Sequence, residues 1–197
     1  MKAQHNRLTF EKQDRETEIM QQDEFTEKIV PLSSKLLRFA SFFLGNDEDG
    51  RDVVQEVLLK LWQNRMKMDA VANAEAFAMQ MVRNRCLDQL KSSRMTKFRP
   101  YPEVMQVVRE ETDQTEWKDT NRLVMQLAGA LPEVQKSILF LRDIEQLEFG
   151  EISAVTGLNV NAVRVNLSRA RKQVREELLK IWDHEISMHR FCTKSHD

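Results

Sequence analysis

The chain is poor in residues that make turns and staples. Its 197 residues include five glycines, four prolines, two cysteines and one tyrosine. So few glycines and prolines disfavour a fold built from many tight turns and favour long helices. The two cysteines, Cys86 and Cys192, lie far apart and supply no disulfide framework, which suits a reducing cytosol. No run of about 18 apolar residues occurs, so membrane insertion is not expected. The polar N-terminus, Met1 to Glu24, carries no apolar core of a signal peptide. A cytoplasmic protein is therefore expected. The four histidines avoid the helical segments, which leaves His-based acid–base chemistry without a home. No phosphate loop, zinc-protease pair or nucleophile elbow appears, so no enzyme and no cofactor is expected.

Hydrophobic residues make up 41% and charged residues 31%, as in a soluble globular protein. The net charge of −1 excludes a polycation, so any nucleic-acid contact must come from local basic faces. Residues 1–24 read as a polar tail. Phe25, Ile29, Leu32, Leu36, Phe39 and Phe43 recur at helical spacing and open a first helical domain over 25–99. Gly45-Asn46-Asp47 breaks this pattern, and a second helix is expected from about Asp49. A loop at 64–73 then leads to a third helix, from Ala74 to about Ser93. Pro100 and Pro102 open an acidic linker over 100–121, containing Glu110, Glu111, Asp113 and Glu116. Helical periodicity resumes at Arg122, with breaks at Leu131-Pro132 and Gly157, and defines a second domain over 122–182; 183–197 is read as a tail. The expected fold is all-α, two small helical domains on a flexible linker.

The segment from Phe149 to Arg164 carries the strongest signal. Phe149, Ile152 and Val155 give a short helix one apolar face, and Gly157 can end it with positive φ. Asn159 is a good N-cap for a following helix. Two short helices around a glycine turn have the shape of a DNA-reading helix-turn-helix. On a wheel of about 100° per residue, Val160, Val163, Leu167, Ala170, Val174 and Leu178 share a buried face. The outward arc holds Asn161, Arg164, Val165, Ser168, Arg169 and Lys172. Arginine can pair with guanine edges, lysine neutralises phosphates, and Val165 can meet a thymine methyl.

From Leu131-Pro132-Glu133 through Gln135, Leu139, Leu141-Arg142, Leu147, Glu151-Ile152, Gly157 and Asn161 to Leu167-Ser168-Arg169-Ala170-Arg171, the text resembles region 4 of the sigma-70 family of RNA polymerase sigma factors, in its extracytoplasmic-function (ECF) group. The resemblance implies contact with the minus-thirty-five promoter element and with the flap of the polymerase β subunit. It departs at Asn159, where Ser is usual, at Phe149, where Tyr is usual, and at Val165, where a polar residue is often found. The Val165 departure bears on base preference and not on fold.

The earlier segment Asp52 to Trp62 resembles sigma region 2. Val53, Val54, Val57, Leu58, Leu61 and Trp62 form its apolar stripe. Asp52, Gln55, Glu56 and Gln63 surround Leu59 on the other face, the composition of a protein-binding spot. The resemblance implies that this face docks on the clamp of the polymerase β′ subunit. Residues 77–91 resemble the minus-ten-binding helix, and Arg65, Lys67, Arg83, Asn84, Arg85, Lys91 and Arg94 are its candidate contacts. Melting a promoter captures unstacked bases while the backbone rests on a basic groove. The loop at 64–73 should hold that pocket, and it contains no aromatic residue. The acidic linker is either a mimic of nucleic-acid charge in a polymerase channel or a solvated tether. An inhibitory anti-sigma partner is also implied.

The expected function is thus promoter-directing transcription initiation with core RNA polymerase. The alternative is a helix-turn-helix regulator that acts without polymerase; a helical adaptor that binds no DNA is a further one. His184, His189, Cys192 and His196 gather near the C-terminus, but their spacing matches no metal finger and no metal site is expected.

Overall fold

The computed structural model describes residues 25–66, 71–96 and 115–192, with side chains to be read over 25–66, 71–92 and 120–183. The described secondary structure is helical. A 3-10 turn, Val30–Leu32, precedes α1 (Ser33–Leu44), α2 (Asp47–Gln63) and α3 (Ala74–Thr96). Then come α4 (Thr115–Gly129), α5 (Glu133–Leu139), a π turn (Phe140–Ile144), α6 (Phe149–Thr156) and α7 (Val160–Cys192).

Several boundaries differ from the sequence reading. Pro31 lacks an N–H, and the expected continuous first helix is interrupted at the 3-10 turn. α2 starts at Asp47 because Asn46, in extended conformation, caps it by accepting the Glu48 N–H at 2.9 Å. Asp47, Glu48 and Asp49 then place negative charge on its first turn, where the helix dipole favours it. α4 begins at Thr115, so the last residues of the expected linker are helical, and α7 runs ten residues past the expected domain end at Trp182, to Cys192. The tail at 1–24, the linker core at 97–114, Lys67, Met68 and His196 lie outside the described residues.

α1, α2 and α3 pack on one another in the first half; α4, α5 and α6 pack on α7 in the second. α1 and α2 cross closely at Gly50. A Cβ built there would lie 2.6 Å from Ser41 Oγ and 2.9 Å from the Ser41 backbone nitrogen.

The two halves meet along a shared core. Phe39 and Phe42 of α1 meet Phe140 of the π turn, and Phe43 stacks on Phe39 behind them. Phe42 stacks on Phe140 at 4.7 Å between ring centroids, and Phe39 meets it edge-on at 5.6 Å. Polar groups cross the same seam. Arg38 donates twice to the Glu145 carboxylate, at 3.0 and 2.8 Å. The Glu145 side chain is only 1% exposed, against 47% for Arg38. The buried Lys136 ammonium donates to the Phe43 carbonyl at 2.9 Å and lies over the Phe42 and Phe43 rings. Arg83 of α3 donates to Ser137 Oγ at 3.2 Å. Gln80 donates to the Ala154 carbonyl at 3.1 Å and Asn73 to Glu151 at 3.0 Å, so α3 lies across α6.

Burial pulls the Lys136 ammonium down from 10.5 to about 8, with Cys86 and Glu133 opposing the shift. Burial also pushes the Cys86 thiol up from 9.0 to about 12, which Arg85 and Lys136 oppose.

Gly50→Ala should cost about 1–3 kcal/mol by overpacking, read from urea denaturation. Gly150→Ala, where nothing lies within 4 Å of the added carbon, should be neutral or stabilising.

The seam also sets a pH response. Between about pH 8 and 10.5 the unfolded chain keeps the Lys136 proton that the folded chain has lost, so this group makes stability rise with pH. From about pH 9 to 12 the unfolded chain loses the Cys86 proton first, so this group makes stability fall. Lys136→Met should remove the rise. The wild-type curve should gain on the variant by about 1 kcal/mol per pH unit within the lysine window, measured by urea midpoints across pH.

Candidate nucleic-acid and polymerase interface

The helix-turn-helix is built from local signals. Glu148 starts α6: its N–H donates to the Glu151 carboxylate at 2.8 Å, closing a capping box. Gly157 has φ 73° and donates to the Ser153 carbonyl at 2.9 Å, ending α6 in a left-handed cap. Asn159 then accepts the Ala162 N–H at 2.8 Å and caps α7. Ile152, Val155, Val163, Leu167 and Ala170 are buried between the helices.

This packing aims the rest of α7 outward. Asn161, Arg164, Val165, Ser168, Arg169 and Lys172 are all exposed on one arc. Val165 is 48% exposed. The run Arg169-Ala170-Arg171-Lys172 is divided by the fold. Ala170 is buried, and Arg171 makes two hydrogen bonds to Asp143, at 3.0 and 2.5 Å. Those bonds hold the Arg171 guanidinium above its ordinary range and commit it to structure. Arg164 lies over the Phe149 ring at 5.1 Å, with Arg142 over the same ring at 4.7 Å. A guanidinium stacked on a ring keeps its edge donors available for a base.

On α2, Asp52, Gln55, Leu59 and Gln63 are exposed, and Leu59 is 56% exposed. Glu56 is tied on both sides, accepting from Lys60 at 2.7 Å and Arg85 at 2.5 Å. The Lys60 hydrogen bond, then that of Arg85, holds its carboxyl below the usual range. On the other side Val53, Val54, Val57 and Leu61 are buried, while Leu58 and Trp62 are only partly so. Trp62 takes Phe25 edge-on at 5.2 Å and Arg65 over its ring at 4.5 Å.

The basic residues read as minus-ten contacts are dispersed. Asn84 and Lys91 are exposed on α3, whereas Arg85 pairs with Glu56. Arg65 also donates to the Trp62 carbonyl at 3.3 Å. Arg83 is 7% exposed, and burial lowers its affinity for the proton. The Arg94 side chain and all of Lys67 lie outside what is described. Sequence reasoning missed Arg38, Lys136, Phe140 and Glu145, which join the halves. The one available signal was Phe42, about 100° from Phe43 on the α1 wheel and outside its main stripe.

Among the described residues, no group of three or more His, Cys, Asp or Glu could hold a metal, and no helix is long and apolar enough to cross a membrane. The expectation about the C-terminal His/Cys cluster falls on side chains that are not described.

Residues 30–96 match the family model for Sigma-70 region 2, and residues 121–174 match that for Sigma-70, region 4. RNA polymerase sigma factor SigV of Bacillus subtilis is 30% identical over 73% of this chain and 84% of its own length. ECF RNA polymerase sigma factor SigE of Mycolicibacterium smegmatis is 26% identical over 75% of this chain and 59% of its own. Probable RNA polymerase sigma factor RfaY of Xanthomonas campestris pv. campestris is 28% identical over 67% of this chain, which spans 34% of that protein. In fold, the chain is similar to the sigma factor RpoE of Bartonella quintana, solved in complex with the anti-sigma factor NepR. The TM-score is 0.67 at 18% identity, covering 80% of this chain and 98% of that one. A helical pair of domains carrying regions 2 and 4 in this order defines an RNA polymerase sigma factor. The chain belongs to the sigma-70 family, in its ECF group.

Asn159→Ala should cost about 1 kcal/mol of stability by uncapping α7. Thermal unfolding of the full chain measures it, and Asn159→Ser should recover most of the loss.

Proposed function

We propose that the chain is a transcription initiation factor that binds core RNA polymerase and directs it to promoters. The observation that carries this reading is the pair of exposed faces on one chain. One is an apolar Leu59 ringed by Asp52, Gln55, Glu56 and Gln63 on α2. The other is the cationic and amide arc from Asn161 to Lys172 on α7.

In this reading the α2 face grips the β′ clamp, the second domain meets the β flap, and α7 enters the major groove of the minus-thirty-five element. Arg164 and Arg169 read or clamp, Asn161, Ser168 and Val165 contact bases or backbone, and Lys172 neutralises phosphate. α3, with Arg83, Asn84, Arg85, Lys91 and Arg94, and the 64–73 loop, with Arg65 and Lys67, serve the opened minus-ten strand. The factor works in the cytoplasm and contributes no covalent chemistry. Binding free energy from polymerase and promoter offsets the cost of opening the duplex. The Bartonella quintana neighbour is held by an anti-sigma factor, and an inhibitor protein of that kind is the proposed third partner.

Leu59→Asp should weaken binding to core polymerase by at least about tenfold, as loss of a central interface anchor does, while leaving duplex DNA binding by the free chain intact. Arg164→Ala should cost about 1–3 kcal/mol on cognate promoter DNA and leave core binding intact. Binding titrations with core enzyme and with promoter fragments, followed by in vitro transcription, measure both. Core binding indifferent to Leu59→Asp overturns the reading.

A further inference from the structure

Phe149 opens α6 and packs, half-buried, against the core. The Gly157 turn brings the start of α6 beside the early turns of α7. Two guanidinium groups lie over the Phe149 ring, Arg142 at 4.7 Å and Arg164 at 5.1 Å from its centroid. They differ in what else they meet. Arg142 donates to the Leu147 carbonyl at 2.7 Å and to the Glu148 carboxylate at 3.2 Å, so its donors are committed to the fold. Arg164 is exposed and, among the described residues, makes no hydrogen bond or ion pair; what its guanidinium meets is the ring. Arg169, on the same arc, lies over no ring among the described residues.

We infer that Phe149 is a positioning residue for promoter reading: its ring holds the Arg164 guanidinium in one outward orientation, and base discrimination at one position of the site depends on it. The inference rests on the reading of α7 as the helix that enters the major groove. An untethered arginine samples many rotamers, and ordering it on binding weakens affinity. A ring beneath the guanidinium orders it before DNA arrives. The cation's flat face is attracted to the π cloud, while its N–H edge points away from the ring. That edge supplies the paired hydrogen bonds to a guanine. Arg142, anchored by Leu147 and Glu148, takes part of the same ring. It leaves Arg164 less surface to slide across, and its like charge favours the outward orientation. Phe149 has no hydroxyl where the family usually has tyrosine. It offers no hydrogen bond to base or phosphate and acts through the arginine alone.

Two measurements test the role. In the free full chain, the side-chain proton resonances of Arg164, assigned by their loss in Arg164→Ala, report the ring through its ring current. They should lie upfield of the ordinary arginine position and return to it in Phe149→Leu. Binding is then measured with the chain in complex with core polymerase. The probe is a duplex selected by that wild-type complex from a random-sequence library, together with each single base-pair change in its minus-thirty-five segment.

Phe149→Leu should weaken binding to the selected duplex by roughly two- to tenfold. It should lose discrimination at one base pair, the same one at which Arg164→Ala loses it. Phe149→Tyr keeps the ring and should keep both. The Phe149→Leu loss should vanish in an Arg164→Ala background and persist in an Arg169→Ala background, whereas a ring that only packs α6 weakens binding in both. No effect of Phe149→Leu, a loss spread evenly over all base pairs, or a loss that persists without Arg164 overturns the positioning role. So do Arg164 resonances at their ordinary position in the wild type. Failure of the wild-type complex to enrich any sequence, or indifference of the selected duplex to Arg164→Ala, overturns the reading of α7 instead, and the resonances still decide whether Phe149 holds Arg164.

Discussion

A buried carboxylate holds the two halves in register. Glu145 follows the π turn, with its side chain almost wholly out of water, and the guanidinium that neutralises it comes from α1 of the other half. Such a pair contributes little net stability over an apolar contact, but it penalises every arrangement in which the partner is missing. The aromatic contact beside it, Phe42 on Phe140, tolerates small slides; the bidentate pair does not. The relation of α3 to α6, and hence what each half shows to solvent, follows from that constraint.

Packing and ion pairing sort the described cations of the chain. Lys136 and Arg83 are turned into the protein, Arg38 reaches Glu145 from the surface, and Arg171 and Arg85 are held by Asp143 and Glu56. Arg164, Arg169 and Lys172 remain on the outer arc of α7. A near-neutral protein can thus present positive side chains along one helix edge, with Lys172 lying 3.7 Å from Glu176 one turn on. The sorting is geometric. α7 is a long helix whose buried stripe, Val163, Leu167 and Ala170, fixes which residues face out.

What could be read from the sequence follows from the range of each signal. The helix-turn-helix rests on Gly157, Asn159 and the spacing of Ile152, Val155, Val163 and Leu167, all local in the chain, and the structure places each where that spacing puts it. The α2 stripe was equally plain, though Trp62 proved half-buried because Phe25 and Arg65 cover only part of its ring. The seam was illegible because its partners lie far apart: Arg38 and Glu145 are separated by 107 positions and Lys136 and Phe43 by 93. No periodicity relates such residues. Arg83 shows the cost. In sequence it is one more cation on a basic helix, and only the packed structure reveals a buried donor to Ser137.

The composition of the seam is that of a contact between domains of one chain. Each half is small, and a small domain buries too little surface to be richly stable alone, so docking one on the other stabilises both. An obligate interface would be largely apolar, whereas contacts between domains of one chain are more polar and closer to transient interfaces. This seam mixes aromatic rings with Lys136, Arg83, Arg38 and Glu145, all groups that water solvates well once the halves part. The Lys136 ammonium, desolvated enough to bring it down to about 8, favours the unfolded chain whenever it carries its proton. The docked state therefore contains, within its own core, a group that pulls against it.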